Sequence, residues 1–76
     1  QFRFENQSLE ELSTELSLIF SEEISIVNAD MKTCIISGVF NASGLESLLN
    51  LIADKFEMTL SKNSDDQWIL LNGECK

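Results

Sequence analysis

The side chains best suited to chemistry in this sequence are thirteen carboxylates and two cysteines, because histidine is absent. Histidine is the usual general base and the commonest metal ligand, so its absence removes His-dependent triads and most metal centres. Three carboxylate pairs are adjacent in sequence: Glu10-Glu11, Glu22-Glu23 and Asp65-Asp66. Neighbours on a helix or strand do not face each other, so Glu10-Glu11 and Glu22-Glu23 are not placed as acid–base couples. Asp65-Asp66 lies in a loop that lacks the alternating oxygen ligands and the glycine of a calcium loop. We therefore expect no enzyme and no cofactor.

The two cysteines, Cys34 and Cys75, allow one of two interpretations. Two thiols without histidine make an incomplete zinc site, and their spacing is not that of a C-x-x-C motif. They either form a disulfide or are unrelated. A disulfide would close a loop of about forty residues and contribute roughly 4 kcal/mol in the chain-entropy model. The residues alone leave both possibilities open.

The charge balance excludes some partners. Five basic and thirteen acidic residues give a formal net charge of −8, and the basic residues are scattered along the chain. A nucleic-acid-binding protein needs a basic stripe to neutralise phosphates, and anionic membrane surfaces attract basic segments. The sequence therefore predicts neither partner, and the acidic surface is typical of a soluble domain.

The length of 76 residues corresponds to one small domain with a marginal core. Hydrophobic residues make up 43% of the chain, which argues against disorder. No apolar run approaches the roughly 18–20 residues of a membrane span. The chain lacks an initiator methionine and opens on strand-like residues. We therefore interpret residues 1–76 as a single domain cut from a longer protein.

The apolar periodicity predicts an α+β fold in the order β-α-β-β-α-β-β. Two amphipathic helices are predicted over residues 9–21 and 44–55. Strands are predicted over residues 1–4, 23–27, 34–40, 57–61 and 68–73, with a polar connection at 28–32 and a hairpin loop at 61–67. The inward stripes of the two helices are predicted to consist of Leu9, Leu12, Leu16, Ile19 and Phe20, and of Leu45, Leu48, Leu49, Ile52 and Phe56.

Both helices begin with the spacing of a capping box, in which a serine and a glutamate three residues later satisfy each other's backbone N–H groups. The pairs are Ser8 with Glu11 and Ser43 with Glu46. We expect these glutamates to cap helices and not to act in catalysis.

The two halves of the chain repeat each other at an offset of 36 residues. FENQSLEEL, beginning at Phe4, corresponds to FNASGLESL, beginning at Phe40. A single β-α-β unit has too few strands to bury the apolar stripe of its helix. The repeat therefore predicts duplicated β-α-β units whose two helices pack against or between small sheets.

Five apolar residues form a candidate partner surface. Leu18 points away from the stripe of the first helix, and two strands are apolar on both faces, with Ile35, Val39, Ile69 and Leu71 on the second face. These four strand residues either lie beneath a second helix layer or form a docking surface. Strand addition at an exposed sheet edge is a further way for such a domain to bind.

The ordered pieces of the chain resemble one family. They are F-E-N-x-S-L-E-E-L, an I-x-I strand, C-x-I-S-G-x-F-x-x-x-x-L-E-x-L-L and a terminal N-G-E-C, spanning Phe4 to Cys75. This pattern resembles the C-terminal domain of FecR-type anti-sigma regulators. The resemblance implies a shape related to the signalling domains of TonB-dependent transporters and to secretin N-terminal domains.

The resemblance also implies a place and a role. The domain would be periplasmic, in a protein anchored in the inner membrane, and this compartment favours a Cys34–Cys75 disulfide. It would receive a signal from the signalling domain of a TonB-dependent outer-membrane transporter. The rest of the regulator would pass that signal to an extracytoplasmic-function sigma factor. The domain itself would not be embedded in the membrane.

Two alternatives remain at this stage. The chain could be the signalling domain of a transporter or secretin and not the domain of the regulator. It could also be an acidic domain that binds a small peptide or glycan, a hypothesis supported only by Trp68. A single tryptophan in an apolar strand usually belongs to the core.

Overall fold

The computed structural model describes residues 2–75, so Gln1, in the first predicted strand, and Lys76 lie outside the described residues. The fold is α+β, and its element order confirms the predicted one. The elements are β1 (Phe2–Ser8), α1 (Leu9–Phe20), β2 (Ile24–Ile26), a 3₁₀ turn (Ala29–Met31), β3 (Ile35–Phe40), α2 (Leu45–Phe56), β4 (Thr59–Lys62) and β5 (Trp68–Leu71).

The strands form two small sheets. β1 and β3 pair antiparallel in a two-stranded sheet. The second sheet has the order β2-β5-β4, in which β5 runs parallel to β2 and antiparallel to β4. Each β-α-β unit therefore places its first strand in one sheet and its second strand in the other.

The structure repeats at the offset seen in the sequence. α1 and α2 begin at Leu9 and Leu45, and both have a left-handed residue as C-cap, Ser21 with φ 55° and Glu57 with φ 56°. The β1–β3 register follows the same offset, because Val39 is the counterpart of Arg3 in the second copy and these two residues pair with each other. The two units are thus related by an approximate two-fold axis through the small sheet.

β5 has no counterpart in the repeat. Its Leu70 pairs with Ile26 of β2 on one side and with Leu60 of β4 on the other. Ile26 and Leu60 are corresponding residues once the two-residue difference between the copies is removed. β5 therefore fills the space between two related strands and completes the larger sheet.

One core unites the two halves, and the inward stripes of both helices lie in it. Leu9, Leu12 and Leu16 of α1 are buried as predicted, whereas Ile19 is 60% exposed and its assignment to the stripe was wrong. At 100° per residue, Ile19 lies about 60° from Leu16 around the helix, and Phe20 lies closer at about 40°. Phe20 takes the inward place in the last turn and packs against Phe2.

The connection after β2 is less polar than its composition suggests. Met31, at the end of the 3₁₀ turn, is almost completely buried. Asn28 caps this turn, since its side-chain oxygen accepts from the N–H of Asp30 at 3.0 Å. Turning the chain in this way directs the methionine inward, which periodicity over so few residues could not show.

β1 contains a bulge that joins it to α1. Two residues, Glu5 and Asn6, lie opposite Ser37 alone, and Asn6 has φ 48°. The Asn6 N–H donates to the Ser37 Oγ at 2.9 Å. The irregularity lies beside Gly38, which has φ 134°.

The N-terminus of α1 carries a complete capping box. The Glu11 N–H donates to the Ser8 Oγ at 3.1 Å, and the Ser8 N–H donates to the Glu11 carboxylate at 3.3 Å. Because Ser8 also ends β1, this cap turns the chain directly from strand to helix.

The second predicted capping box is absent, and that prediction was wrong. The residue before α2 is Gly44, which makes no side-chain cap, so Ser43 lies one residue too early. The Ser43 hydroxyl instead contacts the Ser47 hydroxyl at 3.3 Å. Glu46 then occupies the second helical position, where its charge faces the positive end of the helix dipole.

The segment after β5 folds back onto the core. The Glu74 N–H donates to the Phe56 carbonyl at 2.8 Å. Gly73 has φ 106°, and a Cβ there would lie 2.4 Å from Met58 Cγ and 3.0 Å from Met31 Cε. Only glycine fits this position without displacing its neighbours.

We expect Ser8→Ala to lower the free energy of unfolding by about 1 kcal/mol, because it removes the hydroxyl that accepts from the Glu11 N–H in the α1 cap. Ser43→Ala is the matched control and should change stability by a few tenths of that value, since Ser43 caps nothing. Urea denaturation followed by circular dichroism measures both. Equal losses for the two variants would contradict the assignment of the caps.

We expect Gly73→Ser to destabilise the domain by about 1–3 kcal/mol, through backbone strain and overlap with Met58. Gly44→Ser is the control, because a Cβ at Gly44 meets no atom within 4 Å and its backbone is extended. Serine is also a preferred N-cap, so this variant should be neutral or slightly stabilised. Thermal unfolding of both variants tests the contrast, and a Gly73→Ser variant as stable as the parent would refute it.

Candidate interaction surface

One of the three carboxylate pairs, Glu22-Glu23, makes structural contacts in this fold. The Trp68 Nε1 donates to the Glu22 carboxylate at 3.1 Å, and the Gln67 amide donates to the Glu23 carboxylate. These bonds join the turn after α1 to the β4–β5 hairpin. A depression of about 580 Å³ lies between them, beside Asp65 and Asp66. Among residues 2–75, no group of three potential metal ligands could hold an ion.

Trp68 belongs to the core and does not present a ligand-binding ring. It is only 7% exposed, and the Lys62 Nζ lies 4.5 Å from its ring centroid. The lysine therefore covers the ring by a cation–π contact. The hypothesis of a peptide or glycan site at Trp68 loses its only support.

Cys34 and Cys75 form a disulfide, with their Cα atoms 5.7 Å apart. Cys34 is buried immediately before β3, and Cys75 lies at the exposed end of the segment after β5. The bond fastens that segment to the start of the second repeat. It acts together with Gly73 and the Glu74–Phe56 hydrogen bond to hold the segment on the core.

Leu18, Ile35 and Val39 of the candidate partner surface face solvent. Leu18 is 78% exposed on α1, while Ile35 and Val39 are 55% and 47% exposed on β3. Their neighbours Cys34 and Ile36 are buried, as strand alternation predicts. The interpretation that a helix covers Ile35 and Val39 is therefore wrong.

Ile69 and Leu71 differ from these three residues. Both are half-buried on β5, the central strand, and face away from the buried Trp68 and Leu70. Ile69 lies between Ser25 of β2 and Ser61 of β4. The five predicted residues thus lie on three elements, and the structure does not bring them together into one patch.

Three further large apolar residues are exposed and were missed: Ile19, Val27 and Leu51. Ile19 adjoins Leu18 on α1, and Val27 follows β2 with 61% exposure. The Val27 N–H still donates to the Leu70 carbonyl, so the ladder continues one residue past the strand. Strand alternation from the buried Ile26 could have placed Val27 outside.

Shallow depressions flank Leu18 on both sides. One, of about 410 Å³, is lined by Gln7, Glu10, Glu11, Thr14, Glu15 and Leu18. The other, of about 340 Å³, is lined by Thr14, Ser17, Leu18, Ser21, Glu22, Glu23 and Ile24. Leu18 therefore stands between two grooves that run along the outer face of α1.

Several strand edges are open among residues 2–75. β1 and β3 pair only with each other, and β2 and β4 form the two borders of the larger sheet. Open edges carry unpaired N–H and C=O groups that can accept a strand from another chain.

No helix in the described part of the chain has the length and hydropathy needed to cross a membrane. A family model described as "FecR, C-terminal" matches residues 1–69. No curated protein and no solved structure matches the chain. The family match covers both repeats and the start of β5.

We expect replacement of both cysteines by alanine to lower stability by about 4 kcal/mol, since the disulfide closes a loop with a sequence separation of 41. Urea denaturation of the parent with and without reductant provides the comparison. The doubly substituted variant should be insensitive to reductant. Alkylation in denaturant followed by intact mass should find no free thiol in the parent, and two alkylated cysteines would disprove the bond.

Proposed function

The chain belongs to the FecR C-terminal family, and from this premise we propose that it is a non-catalytic, periplasmic protein-interaction module of an anti-sigma regulator. The family is one of regulators in signalling. The match over residues 1–69 is the observation that carries the proposal, because it spans both repeats. Residues 1–76 would form the C-terminal part of a longer regulator anchored in the inner membrane.

The module would receive its signal by binding the signalling domain of a TonB-dependent outer-membrane transporter. The remainder of the regulator would carry the signal to an extracytoplasmic-function sigma factor. Neither nucleic acid nor membrane would be a partner of this domain, in keeping with its net charge of −8.

The surface supports a role in protein binding. Leu18, Ile35 and Val39 expose large apolar side chains that the core does not use. Burial of such side chains by a partner stabilises a complex, and open strand edges offer backbone hydrogen bonds as well. The Glu11 carboxylate accepts from Ser8 in the α1 cap, and the Glu22 carboxylate accepts from the Trp68 indole, so both make structural contacts.

The disulfide supports the periplasmic location. Disulfides persist in oxidising compartments, including the bacterial periplasm, and are rare in the cytosol. In a domain of this size, the Cys34–Cys75 bond compensates for a small core. The match to a FecR C-terminal model favours the regulator's domain over the alternative of a transporter or secretin signalling domain.

The proposal predicts direct binding between this domain and the signalling domain of its cognate TonB-dependent transporter. Titration calorimetry with the disulfide intact should give a dissociation constant in the micromolar range, typical of transient signalling contacts. A signalling domain from a non-cognate transporter is the control and should bind more weakly. No heat of binding at high micromolar concentration would contradict the proposal, provided that circular dichroism shows both domains folded.

A further inference from the structure

The outer faces of α1 and α2 differ, and the repeat allows their residues to be compared position by position. At the offset of 36 residues, Leu18 corresponds to Asp54 and Ile19 to Lys55. Asp54 and Lys55 are exposed, as charged residues on a solvent face are expected to be. Leu18 is 78% exposed at the same position of the other copy. The fold therefore accepts a charge at this position, yet α1 has leucine.

The electrostatic character of α1 is one-sided. Residues 9–23 contain five carboxylates and no basic residue: Glu10, Glu11, Glu15, Glu22 and Glu23. α2 is more balanced, since Lys55 lies in its last turn and Glu46 in its first. The exposed leucine of α1 is therefore set among negative charges only.

Four of these carboxylates are held in place before any partner arrives, and one of them is Glu23, which accepts from the Gln67 amide. Glu15 accepts from the Gln7 amide at 2.8 Å, Glu11 accepts from Ser8, and Glu22 accepts from the Trp68 indole. Each carboxylate retains an oxygen or lone pair for a further donor. Fixed acceptors lose less conformational entropy on binding than freely rotating side chains.

These carboxylates line the two grooves beside Leu18. Glu11 and Glu15 border one groove, Glu22 borders the other, and Leu18 separates them. An apolar residue surrounded by charged groups has the layout of an interface core and its polar rim. The rim has one sign, so the complementary partner has the opposite sign.

We propose that this outer face of α1, centred on Leu18, is where the partner docks, and that the partner contributes a segment with an apolar side chain flanked by lysine or arginine. This inference rests on the proposed function, because it names the site and the chemistry by which the signalling domain is bound. The apolar side chain packs on Leu18, and the basic side chains enter the grooves toward Glu11, Glu15 and Glu22. Bidentate arginine–carboxylate pairs suit these positions.

A second copy of the chain does not suit this face. Two copies of a domain with a net charge of −8 would bring like charges together at α1.

The other exposed apolar residues, Ile35 and Val39 of β3, are not surrounded by negative charges alone, because Val39 pairs with Arg3 across the small sheet.

The test compares variants by titration calorimetry against the same transporter signalling domain. Leu18→Asp should weaken binding about tenfold or more, because it removes the central apolar contact and places a hydrated carboxylate against the partner's apolar side chain. Leu51→Glu is its control: it replaces an exposed leucine of α2 by the residue that α1 has at the corresponding position. This control should stay within about twofold of the parent.

Charge is tested by a second pair of variants. Glu15→Lys should weaken binding severalfold and reduce its dependence on salt, since it reverses one charge of the rim. Asp54→Lys makes the same change of net charge on α2 and should leave affinity nearly unchanged. Circular dichroism on all four variants separates loss of binding from loss of folding.

The outcomes distinguish this inference from the proposed function. Weakening by Leu18→Asp and Glu15→Lys, with both α2 controls unaffected, supports the α1 site. If both α1 variants bind as tightly as the parent, the α1 site is overturned. The same holds if the α2 controls lose as much affinity as the α1 variants. In either case the proposed function stands. Failure of the parent to bind at all rejects both.

Discussion

Neither helix can bury its apolar stripe with the two strands of its own unit, and this constraint organises the whole domain. Each β-α-β unit divides its strands between two sheets, so that both sheets draw on both copies. The antiparallel pairing of β1 with β3 joins the copies about an approximate two-fold axis through Arg3 and Val39. The larger sheet is completed by an additional strand, β5, whose Leu70 pairs with β2 on one side and with β4 on the other. A core shared in this way makes the two copies depend on each other for stability.

The periodic parts of this fold could be predicted from sequence, because periodicity reports burial over several turns. The order of the elements follows from it, and so do the helix stripes apart from Ile19. Errors occur where a single local geometry decides the outcome. Ser43 has the right spacing for a cap but lies one residue before the true N-cap, Gly44. Met31 is buried because a short 3₁₀ turn directs it inward.

The candidate surface was harder to predict than the core. A strand that is apolar on both faces is equally compatible with a helix above it or with solvent, and only the tertiary arrangement shows that Ile35 and Val39 are uncovered. Leu18 could be identified because it departs from a strong helical pattern. The duplication adds a comparison within one molecule, since each position on α1 has a structural equivalent on α2. Differences between equivalent positions then separate the demands of the fold from those of binding.

The placement of β5 has a consequence for how the protein is made. β2 ends at Ile26, but the strand that pairs with it begins only at Trp68, near the end of the chain. While the chain is being synthesised, the larger sheet therefore stays incomplete even after both helices have emerged. Cys75 follows later still, so the disulfide to Cys34 can close only after the whole of this domain has been synthesised. The larger sheet can therefore form only after β5 has emerged, because this last strand joins two halves that precede it.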